Sequence, residues 1–237
     1  MLLAQLCNAT IISRPLRGSD ARILGRGDRA YITVDDQASL GRRRFSAAHE
    51  LGHWLYDREQ VAALALVAAR CSDLNGRKRG SPGSREVRAD KFAAELLLPL
   101  PFFQRAAGSR AATIRTFSEL AQIFRTSFTA AAFRFVDVDS RPTIYIEFNP
   151  DGQRCFFRRH ADLPDTLWPK QILERGMLAS QLSQESPRSE GSVDASLWFD
   201  HASADGHEIT ESSQLLPSGQ IRTILSWEND ETMLLAI

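Results

Sequence analysis

Apolar positions follow two different rhythms over the first hundred residues. Between residues 21 and 34 they alternate, with Ala30, Ile32 and Val34 on one face and Tyr31 and Thr33 on the other. Arg26-Gly27-Asp28 has the composition of a turn, so the segment predicts a β-hairpin. If its second strand lies at a sheet edge, an extended peptide could pair with it through backbone hydrogen bonds. From Ala48 the period becomes helical. Ala48, Leu51, Gly52 and Leu55 form one stripe, and the helix is expected to run to about Arg58. Gly52 is costly inside a helix, which implies close approach by another backbone or by a site built there. An Ala- and Leu-rich helix at 60–69 is expected next, then a basic loop at 72–84. A further helix starts near Glu86. Ala89, Phe92 and Leu96 form its apolar stripe, Ala93 and Leu97 continue the face carrying Glu86 and Asp90, and Pro99 and Pro101 end it.

The rest of the chain is less regular. Residues 113–135 predict two short helices, with a capping box at Thr116-Phe117-Ser118-Glu119 and a turn at Arg125-Thr126-Ser127. The layout is helix-turn-helix-like, and a DNA-reading protein would put the second helix in a major groove. Thr129, Ala130 and Ala131 offer little to base edges, so a structural or protein-docking role is favoured over direct DNA binding. Residues 143–148 predict a strand with Ile144, Ile146 and Phe148 on one face, partnered by 155–158 across Asn149-Pro150-Asp151-Gly152. A helix is expected at 168–182, a linker at 183–192, and strands at 193–199 and 220–226. The fold class is therefore α+β. The expected divisions are a catalytic part at 1–105 (helices with a small sheet), the helical pair at 106–136, and a small α+β accessory domain at 137–237.

Composition removes several classes without choosing one. The chain has 237 residues with 29 basic and 29 acidic side chains, so net charge gives no argument for nucleic acid or an anionic membrane. Local basic runs such as Arg42 to Arg44 usually form solvated faces. Cys7, Cys71 and Cys155 are odd in number and far apart, which fits a reducing compartment and small core residues better than a disulfide framework. No signal peptide or membrane-spanning segment is legible, so the cytoplasm is the default location. His160, His201 and His207 are isolated, as surface or turn histidines usually are.

Chemistry concentrates in His49-Glu50-Leu51-Gly52-His53. Two histidines four apart on a helix share a face and can grip one metal ion, and the Glu beside the first can take a proton from a metal-bound water. Catalytic zinc usually takes three protein ligands. No third His follows at metzincin spacing. Glu86 is either a solvated first-turn acid or the missing ligand, and the His pair favours the ligand. Asp90, one turn on, could accept a hydrogen bond from a ligand imidazole. Tyr56 is a weak candidate for stabilising an oxyanion.

The stretch Arg42 to His53, followed by Glu86-x-x-x-Asp90-x-Phe92-Ala93-Ala94-Glu95-Leu96-Leu97-Leu98-Pro99, resembles the ImmA/IrrE metallopeptidases. These are bacterial and phage proteins with a compact gluzincin-like fold whose known members cleave or relieve helix-turn-helix repressors. The resemblance covers about residues 10 to 105. It implies His49, His53 and Glu86 as metal ligands, Glu50 as general base and Asp90 in support, with Zn2+ as cofactor and Mn2+ also compatible. It implies a protein substrate, a helix-turn-helix transcriptional repressor. Many members carry a further His where this chain has Asp57. The alternative is a non-proteolytic anti-repressor or toxin–antitoxin-associated module with a structural metal site, although such a site has no use for Glu50.

Overall fold

The computed structural model describes residues 2–59, 61, 84–139 and 141–227. Apart from Val61, the helix expected at 60–69 lies outside the described residues, as do Cys71 and the basic segment 75–83. The chain divides into two compact units, Met1–Phe102 with Gln122–Ser127, and Phe103–Ala121 with Phe128–Ile237. The architecture is α+β, with a small sheet and helices first and a five-stranded antiparallel sheet after them.

In the first unit a short helix α1 (Leu2–Leu6) leads into β1 (Ala9–Arg14), and the expected hairpin follows as β2 (Ala21–Arg26) and β3 (Arg29–Asp35). Arg26 pairs with Arg29, so Gly27 and Asp28 make the turn, with Gly27 in the left-handed region at φ 61°. The sheet order is β1-β3-β2, with β1 parallel to β3. The condition for peptide pairing, that β3 lie at a sheet edge, is not met, because β3 is the centre of the sheet. Its backbone groups are spent on β1 and β2, so it cannot take up a peptide. The alternation read in the sequence holds: Ala30, Ile32 and Val34 are buried, and Tyr31 is exposed.

That buried face supports helix α2 (Leu40–Tyr56) through Leu51 and Trp54. The Trp54 indole N–H donates to the Cys7 carbonyl at 2.8 Å, which satisfies its one polar atom in the core. Ser39 caps α2 by accepting from the Arg42 N–H. Helix α3 (Arg85–Leu97) is capped by Ser84 in the same way and packs along α2. Gly52 explains how closely. A Cβ built there would stand 3.1 Å from the Ala89 Cα and 3.2 Å from Phe92 Cδ1, so the glycine expected to permit close approach does so at the α2–α3 crossing. Helix α4 (Leu100–Ala107) follows directly.

The second unit holds α5 (Ile114–Phe124, its first two turns) and α6 (Phe128–Val138). The N-cap of α5 is Thr113, whose hydroxyl accepts from the Thr116 N–H, one turn before the expected capping box. Glu119 instead pairs with Arg110 and Arg115. Helix α6 packs on strands β4 (Thr143–Phe148) and β5 (Arg154–Arg159), where Phe133 meets Tyr145 and Phe156, and Arg158 grips Asp137. Along α6, Ala131, Ala132, Phe135 and Val136 are buried, and Asp137 alone is exposed, at 40% and paired with Arg158. The sheet runs β5-β4-β8-β7-β6, completed by β6 (Arg188–Asp194), β7 (Glu208–Leu215) and β8 (Ile221–Ser226).

Several expectations fail in this unit. Of the strand expected at 193–199 only Val193 and Asp194 lie in a strand, because Asp194 caps a 3-10 turn at Ala195–Leu197 by accepting from the Ser196 N–H. Residues 168–182 do not form a helix. Pro169 bridges Phe199, Ile172 bridges Gln153, and Gly176 sits at φ 110°, leaving only a 3-10 turn at Leu178–Gln181. The expected linker becomes β6, an edge strand that tolerates its polar composition. Strand β7 was not foreseen because its centre, Glu211-Ser212-Ser213, is polar yet buried. The Glu211 carboxylate accepts from the N–H groups of Leu178 and Ala179, from the Trp198 indole and from the Ser213 hydroxyl. Cys155 is exposed rather than in a core, and Cys7 is half-buried. His160 and His201 accept from nearby backbone N–H groups in turns. No helix among the described residues is long and apolar enough to cross a membrane.

Candidate metal centre

Helix periodicity builds half of the site. His49 and His53 lie one turn apart on α2, both buried, with ring centroids 4.7 Å apart and planes nearly perpendicular. Their Nε2 atoms approach to 3.0 Å. Helix α3 supplies the other half. Glu86, in its first turn, sets Oε2 at 3.2 Å from His49 Nε2 and Oε1 at 3.3 Å from His53 Nε2. One ligand atom from each of the three residues falls within 4.8 Å of the others.

The side chains behind this triangle hold the rings. His49 Nδ1 lies 2.9 Å from Asp90 Oδ1, and His53 Nδ1 lies 3.3 Å from Asp57 Oδ2. An ionised carboxylate can only accept, so each Nδ1 donates and each Nε2 keeps its lone pair for the centre. Two such lone pairs facing each other at 3.0 Å repel unless a cation lies between them. Ligand atoms about 2.0–2.1 Å from a tetrahedral zinc stand roughly 3.3 Å apart, close to the spacings found here. The donor set of two imidazole nitrogens and one carboxylate fits Zn2+, and also Mn2+. Without a cation the site attracts protons. Burial pulls His49 down, but the hydrogen bond and charge of Asp90, with the charges of Glu50 and Glu86, outweigh it and raise its pKa.

Glu50 faces the same region and is 4% exposed. Its Oε2 is buried with no hydrogen-bond partner among the described residues. Burial lifts its carboxyl above the ordinary glutamate value of 4.5, opposed by His49 and His53 and reinforced by Glu86. A buried carboxylate oxygen with nothing to bind is suited to a water or a substrate proton.

The structure therefore brings together five of the residues singled out in the sequence: His49, Glu50, His53, Glu86 and Asp90. It adds Asp57, which sequence reasoning noted only for not being histidine. The signal was its position four residues after His53, on the face shared by the two imidazoles. Tyr56 is exposed and stacks edge-on with Phe92.

The family model described as IrrE N-terminal-like domain, Peptidase_M78, matches residues 8–136. Among solved structures, a Mycobacterium tuberculosis transcriptional regulator is similar in fold, with a TM-score of 0.58 and 13% identity over 95% of this chain and 68% of that one. No curated protein matches the sequence.

Proposed function

Because this chain belongs to the IrrE N-terminal-like, Peptidase_M78, family, we propose that it is a zinc-dependent endopeptidase in which His49, His53 and Glu86 hold the metal and Glu50 is the general base. The observation that carries this reading is the convergence of both Nε2 atoms and the Glu86 carboxylate on one point, with an unpartnered, buried Glu50 oxygen alongside. A zinc ion held there would acidify water, to a pKa of about 7, and polarise a peptide carbonyl.

The chain's own residues do the remaining work. Glu50 accepts a proton from the attacking water at Oε2 and delivers it to the departing amide nitrogen, so the C–N bond breaks as an acid and an amine are formed. Asp90 holds His49 with Nε2 inward throughout. We further propose that the substrate is a helix-turn-helix transcriptional repressor. That choice rests on the resemblance of residues 42–53 and 86–99 to the ImmA/IrrE proteins, while the likeness to the mycobacterial regulator contributes the fold alone.

Wild-type protein and Glu50→Gln, each loaded with zinc, incubated with a protein-derived peptide library and read by mass spectrometry, test the reading. Glu50→Gln should retain its metal and lose cleavage. Cleavage by that variant at the wild-type rate would end the assignment of Glu50.

A further inference from the structure

Asp57 closes α2 as its C-cap, and its carbonyl accepts from the Val61 N–H at 3.0 Å, so it also opens the helical residues Arg58 and Glu59 that follow. It is 6% exposed, so its charge is largely withdrawn from water and costly unless paired. Two contacts offset that cost. Asp57 Oδ2 faces His53 Nδ1 at 3.3 Å, and Asp57 Oδ1 accepts from Arg88 Nη2 at 2.5 Å.

We propose that Asp57 and Arg88 act as a positioning pair for His53, an inference that rests on the metal-site reading above. Asp57 fixes the ring as the Nδ1–H tautomer with Nε2 turned toward Glu86, and Arg88 fixes Asp57. The pair also couples the two helices. Arg88 stands two residues after Glu86 on α3, so one segment supplies both a ligand and the clamp on the opposite ligand. His49 is held by α3 as well, through Asp90. Both imidazoles are therefore aimed by side-chain networks that reach α3, and correct docking of α3 sets the three ligand atoms together.

Neither residue touches the reacting atoms, so the test reads metal affinity, using zinc alone as probe. Zinc dissociation constants would be measured by chelator competition on the full chain, where circular dichroism shows every variant folded. Asp57→Ala should weaken zinc binding by about 10–100-fold, the range typical for removing such an outer partner. Asp57→Asn should lose less, because its amide oxygen can still accept from Nδ1–H. Arg88→Ala should weaken binding, with part recovered in Arg88→Lys. The double variant Asp57→Ala/Arg88→Ala should bind no more weakly than Asp57→Ala, because Arg88 acts through Asp57. Ring 15N shifts should show His53 as a single tautomer in wild type and a mixture in Asp57→Ala. Tight zinc binding by wild type together with unchanged affinity in Asp57→Ala, or losses that add independently, would overturn the positioning role alone. Failure of wild type to bind zinc would remove the metal site with it.

Discussion

Gly52 is the position where packing and site geometry meet, and Gly52→Ala separates them. Alanine is about 1 kcal/mol better than glycine inside a helix, so an unobstructed site would gain stability. Here the added methyl would stand 3.1 Å from the Ala89 Cα, 3.2 Å from Phe92 Cδ1 and 3.4 Å from the Ala89 Cβ. Comfortable carbon contacts lie at about 3.5–4.0 Å. The Phe92 ring can turn aside, but the Ala89 backbone moves only if α3 moves, by roughly half an ångström. Overpacking of this kind costs about 1–3 kcal/mol, so the net loss should be about 0–2 kcal/mol. The larger effect should fall on the metal. Glu86 rides on α3 and the His pair on α2, and metal–ligand distances tolerate only about 0.2 Å. Zinc affinity should fall by about tenfold or more even where the variant is fully folded. Urea unfolding of the metal-free chain gives the first quantity and chelator competition the second. A variant more stable than wild type with unaltered zinc affinity would refute the argument that this crossing sets the ligand spacing.

Three other outcomes follow from the same physics. Glu50's raised pKa means the folded, metal-free chain holds a proton there that the unfolded chain has released; stability on this account is greatest below about pH 4.5 and is lost as pH rises through the folded value. Metal-free Glu50→Gln should therefore be more stable than metal-free wild type at pH 8, with the gap closing toward pH 4 in denaturant titrations; a gap that widens toward acid would contradict this. Glu211→Ala should cost about 3 kcal/mol or more in thermal or urea unfolding, because it strands the buried N–H groups of Ala179 and the Trp198 indole together; a loss under 1 kcal/mol would mean the strand does not depend on that network. Gly41→Ala should destabilise by about 1–3 kcal/mol, since its Cβ would sit 2.7 Å from the Ser127 nitrogen and 2.8 Å from the Thr126 carbonyl carbon; an unchanged melting temperature would show that this loop yields freely.

The site was legible because its parts obey helical spacing. His49 and His53 announce a shared face, and Glu86 with Asp90 repeats that spacing on a second amphipathic helix, so two local patterns anticipate a contact across many residues. Gly52 carried the same message through its cost. Asp57 went unread because an acid at a helix end looks like an ordinary terminus until Arg88 is seen to reach it from α3. The β2–β3 hairpin was written in alternation and turn residues, but the place of β3 at the centre of the sheet depends on β1, whose short Ala9–Arg14 run carries little signal by itself. The same limit governs the C-terminal sheet. β4 alternates in sequence and β5 follows it across a turn, whereas β7 buries a carboxylate whose partners come from distant turns and two serines that bond to neighbouring elements, and β6 needs few apolar residues because it is an edge. Tertiary hydrogen bonding overrode local composition at both strands.

Metal analysis with zinc K-edge absorption spectroscopy on the purified chain and on His49→Ala goes straight to the centre of the account. One zinc per wild-type chain is expected, with two imidazole nitrogens at about 2.0–2.1 Å and a carboxylate oxygen at about 2.0–2.2 Å, and with binding lost in His49→Ala. Equal zinc binding by His49→Ala, or a coordination shell without imidazole nitrogen, would contradict it.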